Sequence, residues 1–198
     1  MNEHNEVKPA HSTGEHPVPG LHGEHVMELA PGFPILRLDE ASLDGLTRLM
    51  SLEDDIFGDD AVGEWYMVSH INHGNVMVLM DAAQKRSVGI AILMRDWDEL
   101  DKCYLADFGI REGYRGRGFG SSFLNVVLGV VKEEGFKRVR LTVDIHNNVA
   151  IRLYEKHGFK IVSERRNHYG LGRDRYIMEL EIELRKAQRA GVRSSNPQ

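Results

Sequence analysis

The chain has 198 residues, of which 41% are hydrophobic and 28% are charged, and its net charge is −5. This size and composition predict one globular domain with one core rather than two domains. The negative charge argues against nonspecific binding of nucleic acids or other polyanions as the main activity. Cys103 is the only cysteine, which excludes an internal disulfide and a zinc site built from cysteines and is typical of a reducing compartment.

Both ends of the chain are predicted to lie outside the domain, which leaves residues 29–184. Residues 1–28 are rich in His, Glu, Pro and Gly and lack apolar periodicity, so they cannot bury enough surface to offset the entropy of ordering. We interpret them as a disordered tail, with a metal-binding role for the histidines as the alternative. Residues 185–198 form a charged C-terminal tail. No apolar run reaches membrane-spanning length and no signal-peptide pattern opens the chain, so we expect a cytoplasmic protein.

The first half of the predicted domain alternates between strand and helix patterns. An apolar run at residues 33–38 predicts a strand, and Ser42 then precedes an amphipathic stretch that predicts a helix. Residues 63–71 predict a second, shorter helix. Two β-rich runs at 75–80 and 87–94 are separated by a polar segment, which predicts a hairpin.

An acidic segment separates the two predicted helices. Its carboxylates are Glu53, Asp54, Asp55, Asp59 and Asp60. A solvated turn is one interpretation of this segment, and a surface that attracts a cationic amine is the other.

The second half of the domain continues the alternation. Residues 102–110 predict a strand, and an apolar face from Gly118 to Gly135 predicts a helix that ends at a glycine. The remaining predicted elements are a strand at 139–145, a helix that begins at Asn147 or Asn148 and ends at Gly158, and strands at 159–162 and 176–182. Together these patterns indicate an α/β fold with a mixed sheet.

Three closely spaced glycines, Gly116, Gly118 and Gly120, lie between a predicted strand and the following helix. Glycine has no Cβ, so the backbone can turn tightly and approach a ligand closely. The first amides of the helix and the positive end of its dipole point into this turn, and Arg115 and Arg117 add positive charge. The pattern predicts a phosphate-binding loop. An RGG-like nucleic-acid-binding loop fits less well, because such segments are disordered and this one has regular apolar runs on both sides.

Two other phosphate-binding patterns do not fit this loop. A Walker loop needs a lysine directly after its last glycine, and neither Gly118 nor Gly120 is followed by one. A dinucleotide-binding loop needs glycines spaced as G-x-G-x-x-G, whereas these are spaced as G-x-G-x-G. The loop does match the pattern Arg-x-x-Gly-x-Gly after a strand and at the start of a helix.

That pattern resembles the acetyl-CoA signature of the GNAT N-acetyltransferase superfamily. The segment N-N-V-A-I-R-L-Y-E-K-H-G-F at 147–159 resembles that superfamily's N-x-x-A-x-x-L-Y-x-x-x-G-F motif. The resemblance covers about residues 33–183, and G-L-G-R-D-R-Y-I-M at 170–178 is most similar to RimI-like protein N-terminal acetyltransferases. It implies a GNAT-like mixed, mainly antiparallel central sheet of about seven strands, flanked by about four helices.

The resemblance implies acetyl-CoA as co-substrate and no metal. Backbone amides of Phe108, Gly109 and Ile110 would hold the pantetheine arm and the thioester. The phosphate-binding loop would hold the pyrophosphate through Arg115, Gly116, Arg117, Gly118, Phe119, Gly120 and Ser121. Three residues of the second motif, Asn147, Ala150 and Tyr154, complete the predicted cofactor site.

The resemblance also makes Tyr154 the general acid that protonates the CoA sulfur as it leaves, whereas without it Tyr154 would be interpreted as a core tyrosine. The position of the family's usual base matches Thr142, which cannot accept the amine proton. Asp107 is our candidate for that role. The other side chains available are Asp144, His146, Glu64 and Tyr169.

We therefore expect an acetyl-CoA-dependent N-acetyltransferase that acetylates a primary amine, such as a peptide N-terminus or protein amine, by direct transfer in a ternary complex. The alternatives are a small-molecule amine acetyltransferase and a non-catalytic acyl-CoA-binding module, which the threonine at position 142 makes worth considering. Cys103 is expected to pack in a strand, with a thiol pKa near its ordinary value and no role as a nucleophile. We expect no nucleic-acid or membrane partner, and a monomer or homodimer.

Overall fold

A central sheet of eight strands organises the part of the chain that the computed structural model describes, residues 17–183. The strands are β1 (Leu21–Ala30), β2 (Phe33–Ala41), β3 (Asn75–Asp81), β4 (Arg86–Arg95), β5 (Lys102–Ile110), β6 (Arg138–Asp144), β7 (Lys160–Arg165) and β8 (Arg175–Glu181). The helices are α1 (Leu43–Phe57), α2 (Glu64–His73), α3 (Phe119–Glu133) and α4 (Asn148–Lys156). Within this range, none of these helices has both the length and the apolar character that crossing a bilayer requires.

The sheet is mixed and mainly antiparallel, with the strand order β1-β2-β3-β4-β5-β6-β8-β7. Among the strand pairs of residues 17–183, β5 and β6 are parallel and the others are antiparallel. Helices α1 and α2 pack on one face, where Leu49 and Met67 are fully buried, and α3 and α4 pack on the other, where Phe123 is fully buried. This is the predicted mixed α/β architecture, with one strand more than the approximate count of seven.

The additional strand is β1, which lies mostly inside the segment predicted to be a disordered tail. It pairs with β2 along its length, from Leu21 opposite Ala41 to Ala30 opposite Phe33. The prediction is therefore wrong for residues 21–28, because backbone hydrogen bonds to β2 supply the ordering that a weak apolar pattern did not reveal. Residues 1–16 and 184–198 lie outside the described residues, and the tail assignments there stay predictions.

Local sequence signals set several helix ends as predicted. Ser42 caps α1 because its hydroxyl accepts the backbone N–H of Gly45 at 3.2 Å. Gly135 and Gly158, which follow α3 and α4, have φ values of 83° and 91°, a conformation that favours glycine. These signals are local, which is why they can be recognised before the fold is known.

Strand β5 departs from regular sheet geometry near its middle. Its register with β4 shifts between Ile92 and Leu93, so that Ala106 is an extra residue and forms a β-bulge. On its other side, β5 pairs with β6 only as far as Leu105, although β5 continues to Ile110. The two strands therefore diverge beyond the bulge, and the space between them is called the β5–β6 gap below.

Candidate active site

A cavity of about 480 Å³ opens at the β5–β6 gap, and we call it the central cavity. The α1–α2 loop, the end of α2, the two diverging strands, the start of α4 and the β7–β8 loop all contribute to its walls. Five of the predicted site residues line it: Asp107, Phe108, Asn147, Ala150 and Tyr154. Among residues 17–183, no cluster of three or more His, Cys, Asp or Glu side chains is placed to hold a metal ion.

The phosphate-binding loop presents free backbone amides at the start of α3. Gly118 is the residue that precedes the helix, and its φ of 83° is left-handed. The hydrogen bond from Ser122 N to Gly118 O, 3.1 Å long, is the first of the helix, so Phe119, Gly120 and Ser121 have no intrahelical acceptor for their amides. No side chain of the described residues caps this end. These amides and the helix dipole are suited to an anion.

Two glycines of the loop differ in whether the fold itself requires them. Gly118 needs its hydrogen side chain because L-residues with a Cβ are strained at its φ. A Cβ on Gly120, by contrast, would meet only Ile110 and Leu153, at ordinary contact distances of 3.8 and 3.9 Å. Packing within the protein therefore does not require glycine at position 120, whereas close approach of a ligand would.

The two arginines of the loop also hold it in shape. Arg115 donates from Nε to the carbonyl of Ile110 at 2.7 Å, which ties the loop to the end of β5. The guanidinium of Arg117 lies 5.0 Å from the ring centroid of Phe119 and 5.6 Å from that of Tyr114. Both arginines are exposed, so their charges remain available to a bound anion.

Two further predicted cofactor residues use their side chains within the fold. The hydroxyl of Ser121 lies 3.3 Å from Nε2 of His157, which links α3 to α4. Asn147 caps α4 by accepting the N–H of Ala150 at 3.1 Å, at one of the two positions where the sequence predicts that this helix begins. The Asn147 side-chain NH₂ has no partner among residues 17–183 and can still donate to a ligand.

The residues of β5 predicted to hold the pantetheine arm can do so only through their backbone. The ring of Phe108 packs in the core, 5.5 Å from Phe123 and 6.4 Å from Tyr154. A Cβ on Gly109 would lie 2.2 Å from the side chain of Ile56, so glycine is required there for α1 to pack on the strand. Because β6 does not pair with this part of β5, the strand edge that faces the gap is open.

Tyr154, on α4, lines the central cavity. It is only 6% exposed, and its hydroxyl has no hydrogen-bond partner among the described residues. Burial, and then the charge of Asp107, raise the pKa of the phenol well above its usual range. Tyr154 is therefore protonated at neutral pH and can donate a proton.

Asp107, on β5, also lines the cavity and lies within electrostatic range of Tyr154. Burial raises its pKa to about 6, and the nearby His70 partly opposes this effect. A carboxyl group with that pKa is ionised at neutral pH and still basic enough to accept a proton. This environment fits the predicted role of Asp107 better than an exposed carboxylate would.

His70 is a cavity residue that the sequence did not single out. Its Nδ1 lies 2.5 Å from the carbonyl oxygen of Tyr66, an acceptor that requires a proton on Nδ1. In the neutral ring, Nε2 then carries the free lone pair. The sequence places His70 in the last turn of α2, but nothing local shows that this turn lies beside Asp107.

A triangle of hydroxyl groups forms the far wall of the cavity. Tyr104, Thr142 and Tyr169 lie pairwise 3.1 Å apart, measured between their hydroxyl oxygens. Burial raises the pKa of the Tyr104 phenol above its usual range. Thr142, predicted to match the position of the family's usual base, thus joins Tyr104, a β5 residue that sequence reasoning missed, to Tyr169 of the β7–β8 loop.

The other candidate proton acceptors divide into two groups. Asp144 and Tyr169 line the central cavity, whereas Glu64 and His146 are exposed and do not. Asp144 already accepts Nη1 of Arg175 at 2.7 Å. Asp59 and Asp107 are the cavity carboxylates that have neither an ion pair nor a hydrogen bond within residues 17–183, and Asp107 is the less exposed of the two.

The carboxylates of the acidic segment lie in different environments and do not form one surface. Glu53 is fully buried, and burial, followed by the charge of Asp107, raises its pKa to about 8. Asp55 pairs with Arg86 and Arg111 on the α1 side of the sheet. Only Asp59 and Asp60 of the segment line the central cavity.

Ion pairs connect the two loops at the mouth of the cavity. Asp60, in the α1–α2 loop, accepts Nη1 of Arg173 in the β7–β8 loop at 2.5 Å. It also accepts Nη2 of Arg175 at 3.2 Å, and Arg175 reaches Asp144 with its other nitrogen. The two arginines thus balance Asp60 and Asp144, and Asp59 and Asp107 are left as the unbalanced charges of the cavity.

Cys103 lies away from the central cavity. It is 1% exposed, and burial raises the pKa of its thiol to about 12. The expectation of an ordinary thiol pKa is therefore wrong, because burial disfavours the thiolate. The prediction that this residue packs and does not attack the thioester is consistent with that environment.

Comparison with known proteins places this architecture in a family. The model of the GNAT acetyltransferase family matches residues 45–159, more than half of the chain. A zebrafish (Danio rerio) protein named N-alpha-acetyltransferase 50 is 36% identical over 69 residues, 34% of this chain and 41% of that protein. An N-alpha-acetyltransferase of Sulfurisphaera tokodaii is 36% identical over 78 residues, 39% of this chain and 47% of that protein. The matches thus span less than half the length of these relatives.

Solved structures share the fold at lower sequence identity. The ribosomal-protein-S18-alanine N-acetyltransferase of Escherichia coli superposes with a TM-score of 0.66 and 23% identity, covering 78% of this chain and 96% of that one. Arabidopsis thaliana Naa50, in complex with the bisubstrate analogue CoA-Ac-MVNAL, superposes with a TM-score of 0.63 and 23% identity, covering 76% and 99%. From the family model and this shared fold, the chain belongs to the GNAT acetyltransferase family.

Proposed function

We propose that this chain is an acetyl-CoA-dependent N-acetyltransferase that acetylates the N-terminal amine of a peptide or protein. The observation that carries the proposal is the central cavity, which joins the predicted cofactor residues of β5 and α4 to two loops linked by ion pairs. The names of the relatives in the family support a peptide acceptor. Direct transfer between the two ligands in one cavity needs no covalent enzyme intermediate.

The residues of the site fit acetyl-CoA. Free amides at the start of α3 match a pyrophosphate, position 120 leaves room for close approach, and the open edge of β5 can hydrogen-bond an extended pantetheine arm. When bound, acetyl-CoA supplies the thioester whose acetyl group is transferred. Tyr154 holds the proton that the departing sulfur needs, and Asp107 accepts the proton of the ammonium group.

The difference in pKa between the two kinds of ammonium group favours an N-terminal amine over a lysine side chain as the acceptor. An α-ammonium group has an ordinary pKa of about 8 and a lysine ammonium of about 10.4. A base with a pKa of about 6 is therefore some two units below the first and more than four below the second. Each unit corresponds to about 1.4 kcal/mol, so Asp107 deprotonates the N-terminal amine far more easily.

The test is transfer from acetyl-CoA to a set of peptides that differ in the first residue, each compared with a peptide that has a blocked N-terminus and an internal lysine. Mass spectrometry should find acetyl groups on free N-termini only. Acetylation of the lysine peptide at equal rate would contradict the N-terminal assignment. Binding of acetyl-CoA without transfer to any amine would instead favour the non-catalytic module.

The second arm of the test concerns Asp107. Wild-type kcat/KM should rise with pH through about 6, as Asp107 loses its proton, and Asp107→Asn should remove this limb and lower the rate. Asp59→Asn is the matched control, since it removes another cavity carboxylate that transfers no proton in this scheme. An unchanged profile in Asp107→Asn would assign the proton transfer to another group, such as His70.

A further inference from the structure

A second cavity, of about 260 Å³, lies on the other face of the sheet from the phosphate-binding loop. Its walls come from α1, the turn between β3 and β4, and the residue that follows β5. Its polar wall residues include Arg48, Lys85, Arg86, Ser87 and Arg111, and these five define the hairpin-tip site. None of them belongs to the central cavity.

The hairpin-tip site carries a positive charge that its neighbours balance only in part. Arg48 pairs with Asp44 at 3.0 Å, and Asp55 is shared between Arg86 and Arg111. Lys85 is exposed and has no ion-pair partner among residues 17–183. Asp81 lies opposite Arg86 in the β3–β4 pairing, so four cations face three carboxylates, in a chain whose net charge is −5. This excess concentrates positive potential in one concave site.

Two buried polar atoms of the site have no hydrogen-bond partner. Ser87 is 3% exposed and Arg111 is 7% exposed, and neither Ser87 Oγ nor Arg111 Nε finds an acceptor or donor in the structure. Unpaired buried polar groups cost stability, and most native proteins avoid them. Both side chains line the cationic cavity, and their hydroxyl and guanidinium N–H are donors that an oxyanion would satisfy once a side-chain rotation exposes them.

We propose that the hairpin-tip site binds a phosphate group. The excess of positive charge suits a phosphate group, and arginine, lysine and serine are the side chains that recognise phosphate oxygens. At about 260 Å³, the cavity is smaller than pockets that enclose drug-sized ligands, which favours a single phosphate over a whole nucleotide. The phosphate belongs either to a free anion or to the 3′-phosphate of the co-substrate.

Calorimetric titration with inorganic phosphate tests the site, at an ionic strength held constant with chloride. The chain is first saturated with dephospho-CoA, which carries the pyrophosphate but lacks the 3′-phosphate, so that the phosphate-binding loop is occupied. Phosphate should then bind at one site. If the chain binds no dephospho-CoA, the proposed function is contradicted. The phosphate titration is then made on the Gly118→Asp variant, whose phosphate-binding loop is blocked, so that it tests the hairpin-tip site independently of the proposed function.

The variant that tests the assignment is the double substitution Lys85→Gln and Arg86→Gln. Both side chains are exposed, so the fold should persist, and we expect phosphate affinity to fall at least about tenfold. Lys132→Gln with Lys160→Gln is the matched control, because it removes two exposed cations far from the site and should leave the affinity unchanged. Equal affinities of the two double variants would overturn the proposal.

A variant that leaves the net charge unchanged separates the effect of a lost hydrogen bond from the effect of lost positive charge. Ser87→Ala deletes a hydroxyl that has no partner, so it should not lower the melting temperature in chloride, yet it should weaken phosphate binding about threefold. Repeating the titration with CoA in place of dephospho-CoA identifies the source. Loss of the phosphate signal assigns the site to the 3′-phosphate of the co-substrate, and its persistence assigns the site to a separate anion. Absence of phosphate binding in every titration of the wild-type chain would refute the site.

Discussion

The phosphate-binding loop is held in place by one means, and the two loops at the mouth of the central cavity, which we call the acceptor-side loops, are held by another. The first presents backbone amides, set by the left-handed Gly118 and the start of α3, and needs few distant contacts. The second pair, the α1–α2 and β7–β8 loops, meets through the ion pair between Asp60 and Arg173, which are 113 residues apart. Backbone geometry is encoded locally, whereas a pairing of distant side chains exists only in the folded chain.

The largest effect should come from blocking the phosphate-binding loop. Gly118→Asp adds a side chain at a left-handed φ and a negative charge beside the free amides, so affinity for acetyl-CoA should fall at least about 100-fold. Thermal shift with and without acetyl-CoA measures this. Gly129→Asp, at an exposed position of α3 where a Cβ meets nothing, is the control and should keep the shift. A full shift in Gly118→Asp would contradict the assignment of the loop.

The next effect concerns Tyr154, which lies between the two regions. Tyr154→Phe removes the protonated phenol but keeps the ring contacts with Phe108 and Phe159, so turnover should fall about 100-fold with little change in acetyl-CoA affinity. Steady-state kinetics and a binding titration separate the two quantities. Tyr176→Phe, in β8, is the control. A parallel loss of affinity and turnover would indicate a packing role only.

The buried carboxyl beneath the acceptor side should limit stability at high pH. The pKa of Glu53 is about 8 in the folded chain and 4.5 in the reference state, so the folded chain binds more protons between these values and loses stability as the pH rises. Glu53→Gln should therefore be more stable than wild type above pH 8, by about 2 kcal/mol or more, and nearly equal to it below pH 4.5. Urea unfolding across this range measures the difference.

Asp54→Asn is the control for Glu53→Gln, because Asp54 is the exposed neighbour on the same helix. Its unfolding free energy should follow that of wild type within about 0.5 kcal/mol at each pH. If Glu53→Gln also follows wild type at pH 8 and above, the carboxyl group is ionised in the folded chain and its inferred environment is wrong.

A smaller effect is expected where the acceptor-side loops meet. Arg173→Ala breaks the ion pair with Asp60, in which both side chains are about half exposed, so the KM for a peptide acceptor should rise about two- to fivefold. Acetyl-CoA affinity should stay unchanged, because the phosphate-binding loop does not depend on this contact. Arg166→Ala, in the same loop and 83% exposed, is the control. A loss of acetyl-CoA affinity would show that the two regions are coupled.

The smallest effect is expected at Cys103. Cys103→Ala should leave turnover within about twofold of wild type, since a buried thiol with a pKa of about 12 is not a nucleophile at neutral pH. Initial-rate plots at varied concentrations of both substrates should intersect, as for a ternary complex. Mass spectrometry after incubation with acetyl-CoA alone should find this cysteine unmodified. An acetylated Cys103, together with an inactive alanine variant, would contradict direct transfer.

The sequence alone determined the features that depend on short-range geometry. The spacing of Gly116, Gly118 and Gly120 after a strand predicted an anion-binding helix start, and the segment at 147–159 placed Tyr154 and Asn147 in the same family pattern. Helix caps at Ser42 and Asn147 were equally readable, because a cap depends on residues three positions apart.

Only the tertiary structure decided which distant side chains share the central cavity with those residues and which segments pair as strands. The bulge at Ala106 separates β5 from β6, and only then do His70 and Tyr104 face Asp107 in one cavity. Strand β1 was missed for the same reason, since its order comes from pairing with β2 and not from its own pattern. Burial, pKa and ion pairing depend on which distant segments pack together, and one chain read in order does not contain that information.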